Sequence, residues 1–225
     1  MPAKPELLIL GDSHSIALKA GADMLGIRAE ALHFSGSRWH EVKFTYGANG
    51  FEPRGTKAGV NQMRALRERL GVEDVFGMGV PVISTMAFHL GRLVPPFGWE
   101  GHQIQDEDAP FIDTGLVASR AFALDYVQHY RLRHLRVAKR LARSTDLTIV
   151  APPPAFDRPN YDSMRAIISG LLTQAGVAVY DPREDLADTD GMFTPDMLEA
   201  DGVHATAETG AKIIEAMRKR GLLRL

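Results

Sequence analysis

The stretch Glu6-Leu7-Leu8-Ile9-Leu10-Gly11-Asp12-Ser13-His14-Ser15 decides how the chain is read. Leu7 to Leu10 form a short apolar run of the kind that makes a buried strand in a parallel sheet. Gly11 ends the run and permits a sharp exit, and Asp12 or Ser13 can cap the helix that comes next. Ser13 therefore stands where a strand gives way to a helix. Open α/β sheets bind ligands outside the carboxyl ends of their strands, so this is the expected position of a site. Helix N-termini also present free N–H groups, which suit a developing oxyanion.

A second stretch supplies the partners. Asp201-Gly202-Val203-His204 precedes a helical pattern from about Ala207 to Arg220. A serine needs a base to become a nucleophile, and the base needs an orienting carboxylate. Asp201 and His204 are close enough in sequence for one tight loop to carry both. Folded against Ser13, that loop makes a Ser-His-Asp site.

Gly11-Asp12-Ser13 near one end and Asp201-x-x-His204 near the other together resemble the SGNH, or GDSL, hydrolase superfamily. The stretch Ala200 to Ala211 resembles that family's last block, including its helix. The resemblance implies a three-layer α/β/α sandwich of flavodoxin-like type, with a mainly parallel sheet of about five strands. It implies Ser13 as nucleophile, His204 as base and Asp201 as orienter. It also implies an oxyanion hole built from the N–H groups of Ser13 and Gly36, the glycine after the second strand. Without the resemblance, Gly36 reads as a turn glycine. The family usually has Gly-x-Asn after its third strand, the asparagine amide being a further oxyanion donor. Here the chain runs Ser84-Thr85-Met86-Ala87-Phe88-His89-Leu90, with no asparagine. His89 is the nearest replacement donor, Ser84 and Thr85 are others, and a lone histidine in such a place also reads as a packing residue. Loss of one such donor typically lowers the rate ~100- to ~1000-fold, which describes a slow enzyme or a retired one.

Between the two motifs, short apolar runs alternate with helical patterns, the signature of a parallel sheet covered on both faces. Helices are expected over Ile16–Leu25, Ala58–Leu70 (closed by Gly71), Ser119–Ser144 and Tyr161–Gln174, the last capped by Asn160. Further strands are expected at Ile27–Phe34, Val80–Thr85, Asp146–Ala151 and Val177–Tyr180. Pro152-Pro153-Pro154 then makes a rigid wall at the sheet's carboxyl edge. In the long helix, Phe122, Tyr126, His129, Leu132, Leu135 and Ala138 read as the apolar stripe, and Arg131 and its basic neighbours as a solvated face. Arg38 to Thr56 reads as irregular, its aromatics either lining a cleft or packing under the loop. Arg92 to Ala118 shows no clear periodicity and reads as a lid or insertion on a single domain. Trp39, His40, Phe88 and Trp99 are the candidate substrate contacts.

The net charge of −2 gives no global field for nucleic acid or an anionic membrane. With no cysteine in its 225 residues, the chain has no disulfide, thiolate metal site or cysteine nucleophile. The N-terminal apolar run is too short for a signal peptide or a membrane span, so a cytoplasmic protein is the default. The expected reaction is hydrolysis of a small polar acyl ester, such as an O-acetylated carbohydrate, with no metal or organic cofactor required. Two rivals stand beside it. The missing asparagine also fits a weak or inactive binding protein for an acylated ligand. Asp12-x-His14 resembles the opening ligand pair of metallophosphoesterases, although that family's later Gly-Asp-x-x-Asp and Gly-Asn-His motifs do not occur.

Overall fold

Parallel strands that alternate with helices dominate the computed structural model, which describes residues 3–34, 43–47, 50–93, 102–105, 116–156 and 160–225. In chain order the elements are β1 (Leu7–Gly11), α1 (His14–Met24), β2 (Ala29–His33), β3 (Lys43–Gly47), β4 (Gly50–Arg54), α2 (Lys57–Leu70), β5 (Val82–Ser84), β6 (His102–Gln105) and β7 (Leu116–Ser119). They continue with α3 (Arg120–Leu141), β8 (Leu147–Val150), α4 (Tyr161–Gln174), β9 (Ala178–Tyr180) and α5 (Ala207–Lys219). The main sheet has five strands in the order β2-β1-β5-β8-β9, all parallel. Chain order thus reverses between β1 and β5, which opens a crevice at their carboxyl ends. Ser13 leaves one of those ends and the Thr85–His89 loop leaves the other.

The sheet is buried on both faces because its side chains alternate. Leu8 and Leu10 of β1 join Val82, Leu147 and Ile149 in the core under α2, α3 and α4. Leu7 and Ile9 join Ile83 and Val150 under α1 and α5. Three of the helices, α2, α3 and α5, have a side-chain cap that fixes where they start. Thr56, Ser119 and Thr206 accept the N–H three residues on, from Gly59, Phe122 and Thr209 respectively. Gly71 closes α2 in the left-handed conformation, φ 67°.

The contact between α1 and α5 brings the two ends of the chain together. A Cβ on Gly210 would lie 2.0 Å from the Ala17 carbonyl oxygen, and one on Gly21 would lie 2.2 Å from the Ala211 nitrogen. The two helix backbones therefore touch, and any side chain at these positions would part them.

Several expectations are corrected. Within Arg38–Thr56, β3 and β4 form an antiparallel hairpin whose Phe44 and Phe51 stack in the core. Within Arg92–Ala118, β6 pairs in parallel with β7. The buried face of α3 is not the stripe of large residues. Ala123, Val127, Arg131, His134, Val137, Ala138 and Leu141 face inward, while Phe122 and Leu132 are 44% and 43% exposed. Small residues at Ala123 and Ala138 allow that face to lie close against its neighbours. Asn160 starts α4 without a side-chain cap: it stands in the left-handed conformation, φ 66°, and its Nδ2 donates to the His102 carbonyl of β6. Among the described residues no helix is long and apolar enough to cross a membrane.

Candidate active site

Gly11 is needed at the end of β1 for space rather than for an unusual backbone angle. A Cβ there would lie 2.3 Å from Thr85 Oγ1 and 2.8 Å from the Ser15 Cβ. This close approach welds the exits of β1 and β5 together: the Asp12 N–H donates to Thr85 Oγ1 (3.0 Å), and Thr85 Oγ1 donates to Asp12 Oδ1 (2.8 Å). Asp12 Oδ1 also accepts the His14 N–H at 3.1 Å, so Asp12 shapes the turn that carries Ser13. Among the described residues the Ser13 N–H donates to no acceptor.

The partner loop is folded by one carboxylate. Asp201 Oδ1 accepts the N–H groups of Val203 (2.8 Å) and His204 (3.0 Å), and Gly202 takes the left-handed angle the turn requires, φ 65°. Asp201 Oδ2 is left for the imidazole and lies 2.6 Å from His204 Nδ1. His204 Nε2 lies 2.7 Å from Ser13 Oγ. These bonds pull the Asp201 carboxyl well below the usual carboxylate range, the His204 N–H contributing most. An ionised carboxylate only accepts, so Nδ1 carries the imidazole proton. Nε2 is then free to accept from the Ser13 hydroxyl. The side chain of Asp201 is half exposed, so the arrangement is held by geometry rather than by burial.

Ser13 and His204 share a cavity of about 250 Å³ with His14, His89, Leu90, Gly91 and the Pro152–Pro154 wall. The proline wall is held by Arg165, whose Nη2 donates to the Pro152 carbonyl (2.7 Å) while Nη1 pairs with Asp181 (3.0 Å). At the rim, Arg183 pairs with Asp162 at 2.7 Å. The His14 ring lies 5.0 Å from that of His204, and burial lowers its pKa from the ordinary imidazole value. On the other side of Ser13 a shallower groove runs past Ile16, Ala20 and Ala200.

Of the sequence candidates, Ser13, His204 and Asp201 come together, and His89 reaches the same cavity. Phe88 is 1% exposed and belongs to the core under α3. Gly36, Trp39, His40 and Trp99 lie outside the described residues. Sequence reasoning missed Arg165 and Arg131. Both stand on the buried faces of their helices, Arg165 with Ile168 and Leu172, Arg131 with Val127 and Ala138. A charge on an otherwise apolar stripe was the available signal. Arg131 is 2% exposed, not solvated. Among the described residues no group of three or more His, Cys, Asp or Glu side chains converges as a metal site would need.

Comparison with protein-family models and with curated sequences finds no match. Solved structures do match. A protein of the lipolytic G-D-S-L family from Desulfitobacterium hafniense superposes with a TM-score of 0.50 at 13% identity, over 96% of this chain and 98% of that one. The chain has the fold of the G-D-S-L lipolytic proteins. A GDSL-like lipase from Bacteroides thetaiotaomicron matches at a TM-score of 0.45 and 15% identity, over 97% of this chain and 88% of that one. An acetylxylan esterase from Geobacillus stearothermophilus matches at 0.41 and 15%, over 99% and 97%. Many of the solved structures that match bear the names of lipases, esterases and acylhydrolases.

Proposed function

We propose that the protein is a serine esterase of SGNH type. The observation that carries this reading is the unbroken hydrogen-bonded line Ser13–His204–Asp201 opening onto a cavity. Ser13 Oγ attacks the ester carbonyl carbon while His204 Nε2 takes its proton, and the carbonyl oxygen becomes an oxyanion. The Ser13 N–H faces that charge, with the Gly36 N–H as the further donor implied by the family resemblance. His204 returns the proton to the leaving alcohol, and the C–O bond breaks to leave acyl-Ser13. Water then attacks the acyl-enzyme by the same route, with His204 again as base. Asp201 keeps Nδ1 protonated and supports the imidazolium. A half-buried His14 whose pKa is lowered adds no like charge beside that imidazolium.

The substrate is a small polar acyl ester, an O-acetylated carbohydrate being the type that fits. The cavity is small, and Asp162, Arg183 and His89 give it a polar lining. Of the insertion expected at 92–118, β6 is the part beside this lining, since the His102 carbonyl accepts from Asn160, immediately before Tyr161 and Asp162.

Hydrolysis of p-nitrophenyl acetate and longer homologues tests the reading, with wild type set against Ser13→Ala and His204→Ala. Turnover by wild type that falls to background in both variants is the expected result, and the chain-length profile then sizes the acyl pocket. A wild type no faster than Ser13→Ala, together with an inert Ser13 toward an organophosphonate, sinks it in favour of a binding protein.

A further inference from the structure

The loop after β5 contains no asparagine or glutamine, yet its backbone is held in an unusual shape from behind. Ala87 and His89 both have positive φ, 77° and 39°. Non-glycine residues persist in such conformations only where the surroundings over-determine them. Here one side chain gathers the carbonyls, while Ser84 Oγ accepts the Met86 N–H at the start of the loop. Arg131 of α3 donates through Nε to the carbonyls of Ala87 (2.6 Å) and Phe88 (3.2 Å), and through Nη2 to those of Phe88 (3.0 Å) and His89 (3.2 Å). Burial lowers its pKa to about 10, so the guanidinium is still charged at neutral pH. Three successive carbonyls therefore point inward at one cation.

The peptide bonds are trans. In a planar trans peptide the N–H of the next residue points opposite to the carbonyl. With the Phe88 and His89 carbonyls turned inward, the N–H groups of His89 and Leu90 turn outward. The outward side of this loop is the cavity, where His89, Leu90 and Gly91 line the wall with Ser13 and His204. Successive N–H groups in a chain that alternates handedness form a concavity for negative charge.

We propose that Arg131 is a positioning residue that presents the N–H groups of His89 and Leu90 to the oxyanion formed at Ser13. The proposal rests on the esterase reading above and deepens it. The backbone of this loop supplies the donors that its side chains lack. A lysine could not do the same work, because an ammonium is a compact point charge without the planar fork that reaches three carbonyls.

The test compares wild type with Arg131→Lys, Arg131→Ala, and two forms in which His89 or Leu90 is replaced by its α-hydroxy acid. The last two delete a single N–H and leave Arg131 and both side chains in place. Reactive serines are counted by complete titration with a p-nitrophenyl organophosphonate, and kcat for p-nitrophenyl acetate is expressed per titrated site. The expected result is a ~100- to ~1000-fold fall in kcat per site for Arg131→Lys and for at least one hydroxy-acid form. KM should change little, and added guanidinium ion should restore part of the rate of Arg131→Ala. A fall in the number of titratable sites with unchanged kcat per site marks a merely structural arginine and overturns the proposal. Wild-type rates in both hydroxy-acid forms overturn it as well. A wild type no faster than Ser13→Ala, with no titratable serine, overturns the esterase reading itself and the proposal with it.

Discussion

Ser13 and His204 meet because two helices touch backbone to backbone, whereas His89 reaches the same cavity on a loop whose carbonyls are gathered by one buried arginine. Each half of the first arrangement is local, although the halves meet across the length of the chain. The Asp12 and Asp201 side chains fold their own turns, and glycines at 21 and 210 bring the two turns together. The second arrangement is wholly long-range, since Arg131 lies more than forty residues from the carbonyls it holds. One side of this cavity is thus specified by motif and the other by packing. Substitutions should therefore fail differently on the two sides.

The largest losses are expected at the meeting point itself. Ser13→Ala and His204→Ala should each lower kcat by on the order of 10⁴ to 10⁶-fold without lowering the unfolding temperature, read by ester hydrolysis and thermal melts. Asp201→Asn should do less, on the order of 10² to 10⁴-fold, because it spoils the His204 tautomer but leaves Ser13 and His204 in place. Asp201 titrates well below the ordinary carboxylate range, so it stays ionised as pH falls through that range. Consequently the acid limb of the wild-type rate profile should not track carboxylate protonation.

The helix contact makes a second, smaller contrast. Gly210→Ala puts a methyl group where a Cβ would meet the Ala17 carbonyl at 2.0 Å, so the helices must part. Overpacking of this kind costs about 1–3 kcal/mol, and here it should also weaken the Ser13–His204 bond, lowering both denaturation midpoint and kcat. Gly170→Ala in α4 is the counterpart. A Cβ there meets nothing within 4 Å. It should stabilise the fold by about 0.5–1 kcal/mol and leave kcat unchanged. If the two glycine variants behave alike, backbone contact is not what sets the site.

A weaker effect still concerns His14. Burial depresses its folded-state pKa below the ordinary imidazole value of 6.5. The unfolded chain therefore binds the proton more readily than the folded one. The stability His14 contributes is present above pH 6.5 and is lost as pH falls through the depressed value. Urea unfolding across that window should show the decline, and His14→Asn should show less of it.

Glu6–Ser15 and Ala200–Ala211 announced the strand, the turn that carries Ser13 and the loop that carries His204, because each is built from residues adjacent in sequence. The alternation of apolar runs and helical stretches likewise announced the parallel sheet. The β3–β4 hairpin was not legible, since its glycine-rich, aromatic chain carries no clean period. Nor was the buried face of α3. Several faces of that helix carry apolar residues, and only the packed neighbours decide which one turns inward. Arg131 shows the limit most plainly. Sequence alone assigns a helical arginine to solvent, because burying a guanidinium needs hydrogen-bond acceptors to meet it. Those acceptors are main-chain carbonyls, which every residue has and no sequence distinguishes. Their convergence at Ala87, Phe88 and His89 comes into being only when the β5 loop and α3 are brought together.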